Sequence, residues 1–277
     1  MNYPDINPII FSLGPISFRW YGLLYVVAFV VCYSLGRKRL KTHSNLTVQQ
    51  WNDLLFWGIV GTLLGGRFGF VLFYGFDKFL ADPLWAVKVW EGGMSFHGGV
   101  IGVATAILLW CKINKTAFLS VSDFVVPVVP IGIGIGRLGN FINTELPGRI
   151  TESFLGVHFP CHAVSDLNPT CVGDYEELTR HVSSLYQAFV TGVVVFGLLW
   201  WFSRKPRDRV VVTGLFFLLY GVGRCFTETF REPDVALGFI AGDWLTMGQL
   251  LSIPMILIGG LLLIPTVNQY LTGRSKE

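Results

Sequence analysis

Seven apolar stretches, near residues 17–36, 53–73, 97–111, 121–142, 186–202, 210–226 and 245–267, leave this chain little choice of solvent. A helix rises 1.5 Å per residue and needs roughly 20 apolar residues to cross a bilayer, and these stretches reach or approach that length. Of 277 residues, 52% are hydrophobic and 14% charged, where a soluble domain carries about 25% charged. That leaves too little polar surface to cover a globule in water. The expected fold is an all-α integral membrane protein with about seven transmembrane helices, residues 1–277 forming a single polytopic membrane domain. A net charge of +3 without a basic block argues against nucleic acid as a partner. No Lys or Arg precedes Arg19, so the N-terminus lacks the basic region of a cleavable signal.

Charge orients the spans. Arg37-Lys38-Arg39 with Lys41, Lys112 with Lys115, Arg204-Lys205-Arg207 with Arg209, and Arg274 with Lys276 follow the first, third, fifth and seventh stretches. All four tracts fall on one side, which the positive-inside rule makes cytoplasmic. The N-terminus is then outside and the C-terminus cytoplasmic. The outer side receives an arm at 74–94, a head segment at 143–185 between the fourth and fifth spans, and a loop at 227–243. Gly61, Gly65 and Gly69 recur every fourth residue, a pattern of close helix packing. Trp20, Tyr21, Trp51 and Trp244 read as interface aromatics.

Cys32, Cys111 and Cys225 lie in or at the ends of spans and read as apolar fillers. Cys161 and Cys171 share the outer segment, where an oxidising compartment allows a disulfide. His158, Cys161 and His162 lack a recognised zinc spacing, and no metal is expected. Gly134, Gly136 and Gly139 spell GxGxxG, but inside a hydrophobic span. A dinucleotide fingerprint works only between a strand and a helix, so the string is rejected as one.

Charged groups in a span cost about 2.5–3.5 kcal/mol at its centre, so those present call for a use or a partner. Three constellations stand at outer ends. In EGGMSFHGG (91–99), His97 is flanked by glycine pairs at the start of the third span. A helix N-terminus favours a neutral, proton-accepting imidazole, and the glycines admit close approach. In GRLGNFINTELPG (136–148), Arg137 and Asn140 lie about 60° apart and share a helix face. Asn143 and Glu145 follow. Either Glu145 neutralises Arg137, or arginine and amides together suit a phosphate headgroup. Tyr220, Arg224, Glu228 and Arg231 form one stripe off the sixth span. Glu228 can pair with either arginine but cannot neutralise both. Arg67, in the second span, is a further candidate.

These segments closely resemble the prolipoprotein diacylglyceryl transferase family. GRLGNFINTELPG matches its signature, and the likeness extends to FSLGPISFRWYGLLY (11–25), LGGRFGFVLFY (64–74), GGMSFHGGVIGV (92–103), SDFVVPVVPIGIGIGRLGN (122–140) and FREPD (230–234). The resemblance implies an enzyme of the bacterial cytoplasmic (inner) membrane, its active site near the periplasmic face. It moves the diacylglyceryl group of phosphatidylglycerol to the lipobox cysteine of prolipoprotein signal peptides. Carried over by position, His97 and Arg231 are catalytic, while Arg137, Tyr21, Asn140, Glu145 and Gly148 bind substrate. No cofactor is implied. One departure stands: where the family commonly has His-Pro-Ser-Gln-Leu-Tyr-Glu, this chain has His181-Val-Ser-Ser-Leu-Tyr-Gln187, so a role resting on that glutamate does not transfer.

A secondary transporter for an anionic substrate is the rival expectation. Transporters place their site near the midplane between repeated halves. Here the span count is odd, the polar clusters are terminal and no half resembles the other. Both substrates arrive from the bilayer plane, so lateral openings are expected, with the arm at 74–94 as a gate.

Overall fold

The computed structural model describes residues 1–267 apart from 5, 15, 44–45, 90–91, 234–237 and 266. Glu91, Asp234 and the basic pair Arg274/Lys276 lie outside the described residues. The chain forms two compact units, Met1–Leu35 with Val125–Glu277, and Gly36–Phe124.

The elements run β1 (Ile9–Leu13), β2 (Ile16–Arg19), α1 (Trp20–His43), α2 (Val48–Tyr74), α3 (Phe76–Ala81), a 3-10 turn (Pro83–Val87), α4 (Phe96–Ile113), α5 (Phe118–Val125) and α6 (Val129–Ile142). Then come β3 (Val157–Pro160), α7 (Cys161–Val164), β4 (Tyr175–Arg180), α8 (Ser183–Gln187), a π-helical stretch (Ala188–Val194), α9 (Val195–Phe202), α10 (Val211–Glu228) and α11 (Met247–Leu263). The protein is thus mostly helical. Among the described residues, four helices are long and apolar enough to cross a membrane: Trp20–Lys41, Val48–Tyr74, Ser183–Phe202 and Val211–Glu228. The pair α5 and α6, bent by 54°, makes a fifth if it is one span, and α4 and α11 are shorter apolar helices. The bend falls where Pro127 and Pro130 withdraw backbone donors from a continuous helix.

The unit Gly36–Phe124 shows how small residues build a membrane core. A Cβ at Gly61 would stand 2.6 Å from the Gly102 carbonyl oxygen, and one at Gly69 would stand 2.7 Å from the Gly98 Cα. The glycines of α2 therefore seat its backbone against that of α4. The large side chains point the other way: Leu64 and Phe68 are 66% and 67% exposed. Small inside and bulky apolar outside inverts the soluble pattern and presents the bulky face to lipid. Thr47 starts α2 with a capping box, its hydroxyl accepting from the Gln50 amide at 3.2 Å. Trp51 departs from the expected interface position, being buried against Gly36 and edge-on to Phe124 at 5.4 Å.

Arg67 is claimed by the arm. Its Nε donates to the Ala86 carbonyl at 2.9 Å, Nη2 to Trp85 at 2.6 Å, and Nη1 to Gly92 and Gly93. The guanidinium also lies 4.6 Å from the Trp85 ring centroid. A charge buried this way is paired with carbonyl dipoles, and the arm is tied to α2 by it.

In the other unit, Val126, Val195, Leu199, Val212, Phe216 and Tyr220 form the core between helices. The outer segment folds as a small head. β3 pairs antiparallel with β4, Cys161 and Cys171 are disulfide-bonded, and His158 Nδ1 sits 2.9 Å from the Glu176 carbonyl. Tyr3 Oη donates to the Phe141 carbonyl, and burial pushes its hydroxyl up to about 12. A Glu176–Arg180 ion pair on β4 is buried within this head, its side chains 1% and 3% exposed.

Candidate active site

The second half of α6 and the end of α10 carry the polar groups. Arg137 Nη1 donates to Asn140 Oδ1 at 3.2 Å, one helical turn on. Asn140 Nδ2 donates to Glu145 Oε2 at 2.6 Å, and Asn143 Nδ2 to Glu145 Oε1 at 3.0 Å. Only one orientation of the Asn140 amide serves both neighbours, since arginine must donate and carboxylate must accept. Asn140 thereby stands between Arg137 and Glu145. Among the described residues Arg137 makes no ion pair, so the simple neutralisation allowed by spacing is not what forms.

Tyr21 comes to the same place from the first turn of α1. A Cβ at Gly139 would meet its ring at 2.6 Å, so glycine there lets the tyrosine lie on α6. Its hydroxyl is 3.3 Å from that of Tyr25 and is within electrostatic range of Glu145 and Arg137. Gly134 is likewise a packing glycine, 3.0 Å from Gly192 Cα by the same measure, while nothing lies within 4 Å of a Cβ at Gly136.

On α10, Arg224 Nη1 is 2.7 Å from Glu228 Oε2, and Arg231 Nη1 is 3.5 Å from Glu228 Oε1. Arg224 is also within electrostatic range of both Arg137 and Arg231. Arg224 and Arg231 therefore share the Glu228 carboxylate, and Arg137 on α6 lies within electrostatic range of Arg224. Arg224 belonged to the stripe read from spacing but not to the expected site residues; its approach to Arg137 is a tertiary fact that spacing along one helix cannot reveal.

Gly148 has a different position from the side chains. It bridges Arg231 in antiparallel fashion, donates its amide to the His181 carbonyl at 2.9 Å, and a Cβ would stand 2.7 Å from the Phe230 carbonyl oxygen. Arg149 Nε then donates to the Arg231 carbonyl at 3.1 Å. Arg180 Nη1 reaches the Gly148 carbonyl and Glu232 Oε2, both at 3.3 Å. This backbone clamp holds the segment bearing Arg231. It went unseen in the sequence, where Glu176 and Arg180 carried only the signal of opposite charges in a head segment. His181, Tyr186 and Phe230 pack as an aromatic triplet beside it, and burial lowers the His181 imidazole below its ordinary value. Gln187, in the departing motif, is 1% exposed, and neither amide atom has a hydrogen-bond partner among the described residues.

His97 belongs to the unit Gly36–Phe124. It lies in the first turn of α4, whose N-cap Ser95 accepts from the Gly98 amide at 3.2 Å. The imidazole is exposed and lines a cavity of about 380 Å³ with Phe73, Tyr74 and Ser95. The described residues hold no group of three or more His, Cys, Asp or Glu that could take a metal ion.

Arginines gathered where apolar helices end make a candidate anion site in a mostly helical protein with membrane-spanning apolar helices. Its family follows from comparison. Residues 8–265 match the family model described as prolipoprotein diacylglyceryl transferase. A phosphatidylglycerol–prolipoprotein diacylglyceryl transferase of Chromohalobacter salexigens is 51% identical over 261 residues, covering 94% of this chain and 92% of the relative. A protein of the same description from Xanthomonas campestris pv. campestris is 50% identical over 268 residues (93% and 90%), and one from Xanthomonas oryzae pv. oryzae is 49% identical over 264 (92% and 89%). The chain belongs to the prolipoprotein diacylglyceryl transferase family.

Proposed function

We propose that this protein transfers the diacylglyceryl group of phosphatidylglycerol to the lipobox cysteine thiol of prolipoproteins, the first step of bacterial lipoprotein maturation. The observation that carries the reading is the arginine cluster with Arg137 set apart from Glu145 by Asn140, in a chain half identical to transferases of that name. A phosphodiester anion satisfies such a cluster, and arginine's planar fork fits phosphate oxygens.

In the proposed reaction His97 accepts the proton of the thiol, whose pKa of about 8.5 otherwise leaves little thiolate at neutral pH. The thiolate attacks the glycerol carbon that bears the phosphate. A carbon–sulfur bond forms, the carbon–oxygen bond breaks, and glycerol phosphate leaves with the electron pair. Arg137 and Arg224 hold the phosphate, and Arg231 stabilises the charge developing on the leaving group. Tyr21, Asn140 and Glu145 orient Arg137, and Gly148 keeps the Arg231 segment in register.

For topology we take α1, α2, α4, the bent pair α5–α6, α8 through α9, α10 and α11 as seven crossings. The N-terminus and the head at 143–185 are periplasmic, the C-terminus is cytoplasmic, and the site opens near the periplasmic face of the inner membrane. The basic tracts support this orientation.

The test is direct. Purified protein mixed with phosphatidylglycerol and a lipobox peptide should add one diacylglyceryl mass to the peptide cysteine and release glycerol phosphate. No mass gain from a folded preparation would refute the activity. His97→Gln should slow single-turnover transfer by about 10²–10⁴-fold while phosphatidylglycerol still binds. Near-normal turnover in that variant would remove His97 from the base role.

A further inference from the structure

Glycines let α10 and α11 pack closely. A Cβ at Gly259 would stand 2.7 Å from the Gly214 carbonyl oxygen, and one at Gly221 would stand 2.7 Å from Ile256 Cγ1. At these levels glycine meets backbone or an aliphatic side chain, its ordinary use between apolar helices. Gly248, the second residue of α11, departs from that pattern. The nearest atoms to a Cβ there would be Glu228 Oε1 at 2.5 Å, Glu228 Cδ at 2.6 Å and Arg224 Nη2 at 3.1 Å. The Arg224–Glu228 pair thus lies directly on the bare backbone of the first turn of α11.

That turn is fixed from both sides. Thr246 and Gln249 close a capping box around it: the Thr246 hydroxyl accepts from the Gln249 amide at 3.3 Å, and Gln249 Oε1 accepts from the Thr246 amide at 3.0 Å. Buried Ser252 donates to the Gly248 carbonyl at 2.7 Å, and Cys225 Sγ on α10 donates to the Gln249 carbonyl at 3.8 Å. Glu228 also sits at the helix end whose dipole favours negative charge. Its two oxygens face Arg224 and Arg231, so where the carboxylate rests decides where both guanidinium groups point.

We infer that Gly248 is a positioning residue for the anion site: by leaving room for the Glu228 carboxylate against α11, it sets how Arg224 and Arg231 are presented to the phospholipid phosphate. The inference rests on the phospholipid reading given above. Gly248 acts through Glu228 and not on the substrate. A methyl group at position 248 would fall on the ion pair. The turn beneath it is capped and bonded, whereas the carboxylate is the far end of a flexible side chain. The carboxylate therefore gives way, and the two arginines lose the partner that aims them.

Transfer kinetics from phosphatidylglycerol and thermal melts on three glycine variants of α11 test this. Gly248→Ala should lower kcat/KM about 10²-fold, the usual loss when a group at the site is displaced by about 1 Å, with its thermal midpoint near wild type. Gly259→Ala forces α10 and α11 apart and should lower the midpoint instead. Gly260→Ala, where nothing lies within 4 Å of a Cβ, should change neither. A rescue separates position from packing. Glu228→Asp withdraws the carboxylate by one methylene; alone it should lower kcat/KM about tenfold, yet in the Gly248→Ala background it should raise it about tenfold. An equal loss from Glu228→Asp in both backgrounds would overturn the inference, as would Gly248→Ala activity within about twofold of wild type. So would a Gly248→Ala midpoint as low as that of Gly259→Ala, which would mean helix packing only. A wild-type protein that transfers nothing from phosphatidylglycerol would instead overturn the phospholipid reading, and this inference with it.

Discussion

Arg137→Ala is expected to lower kcat/KM for diacylglyceryl transfer by about 10²–10³-fold, the usual loss when a preorganised donor to developing charge is removed. The argument begins with unequal commitments. Among the described residues the Arg137 guanidinium spends one donor on Asn140, and of its five donors that leaves most for an incoming anion. Arg224 is held at 2.7 Å by Glu228 and lies within electrostatic range of Arg137. Guanidinium groups within electrostatic range of each other repel, and a phosphate bound between them relieves that repulsion. Arg224→Ala should therefore cost at least as much, since it also leaves Glu228 buried against a weaker partner.

Lysine separates charge from shape. Arg137→Lys keeps the positive charge but loses the fork, and it should recover no more than about a tenth of the lost rate. Binding gives the cleaner readout. The Arg137→Ala protein should lose its preference for phosphatidylglycerol over a zwitterionic lipid in a vesicle titration, while its thermal midpoint stays near wild type. Unaltered phosphatidylglycerol affinity in that variant would rule out the headgroup assignment.

Much of the fold was legible because bilayer thickness acts on hydropathy directly. Each apolar stretch found a helix, including the short one that became α4. What hydropathy could not register was backbone interruption. The fourth stretch breaks between α5 and α6 at prolines that were visible in the sequence but silent in an apolar count, and the π-helical stretch after Gln187 has no residue signature. Trp51 illustrates another limit. It looked like an interface residue because it stands at the end of an apolar stretch, yet α1 runs to His43, and Gly36 receives the indole. Arg37 to Lys41 are good helix formers, so charge ended the apolar stretch without ending the helix.

The site divides along the same line. Helical periodicity was enough to join Arg137 to Asn140 and Glu228 to its neighbours. It could not say that Asn140 intervenes before Glu145, because that depends on the turn after α6 and on Thr144 and Leu146 taking positive φ. Nor could it separate Arg67 from the other arginines. All were charges in apolar surroundings, and only the carbonyls of the arm identify Arg67 as a fastening.

Glu176→Ala is expected to destabilise the head by about 3–5 kcal/mol, the cost of leaving one member of a buried ion pair without its partner. Arg180 grips Glu176 through Nε at 2.6 Å and Nη2 at 3.0 Å, and Asn168 adds a bond at 3.0 Å. Replacing both residues by methionine should cost less than the single change, because no unpaired charge is then left behind. The pH dependence has a definite sign. Burial raises the Glu176 carboxyl, but hydrogen bonds from Arg180 and Asn168 with the Arg180 and His158 charges outweigh it and hold the group below its ordinary value. Its contribution is then complete above the unfolded value of about 4.3 and is lost as pH falls through the lowered folded one. Amide protection factors across residues 148–181 should therefore fall in wild type on acidification below about pH 4, and be reduced already at neutral pH in Glu176→Ala. The same variant should lose activity, because Arg180 also reaches the Gly148 carbonyl and Glu232 and so holds the segment that bears Arg231. Loosening the head should lower kcat more than it weakens phosphatidylglycerol binding, which we propose rests on α6 and α10. Equal loss of both would mean that the head supports the whole arginine cluster and not the Arg231 segment alone.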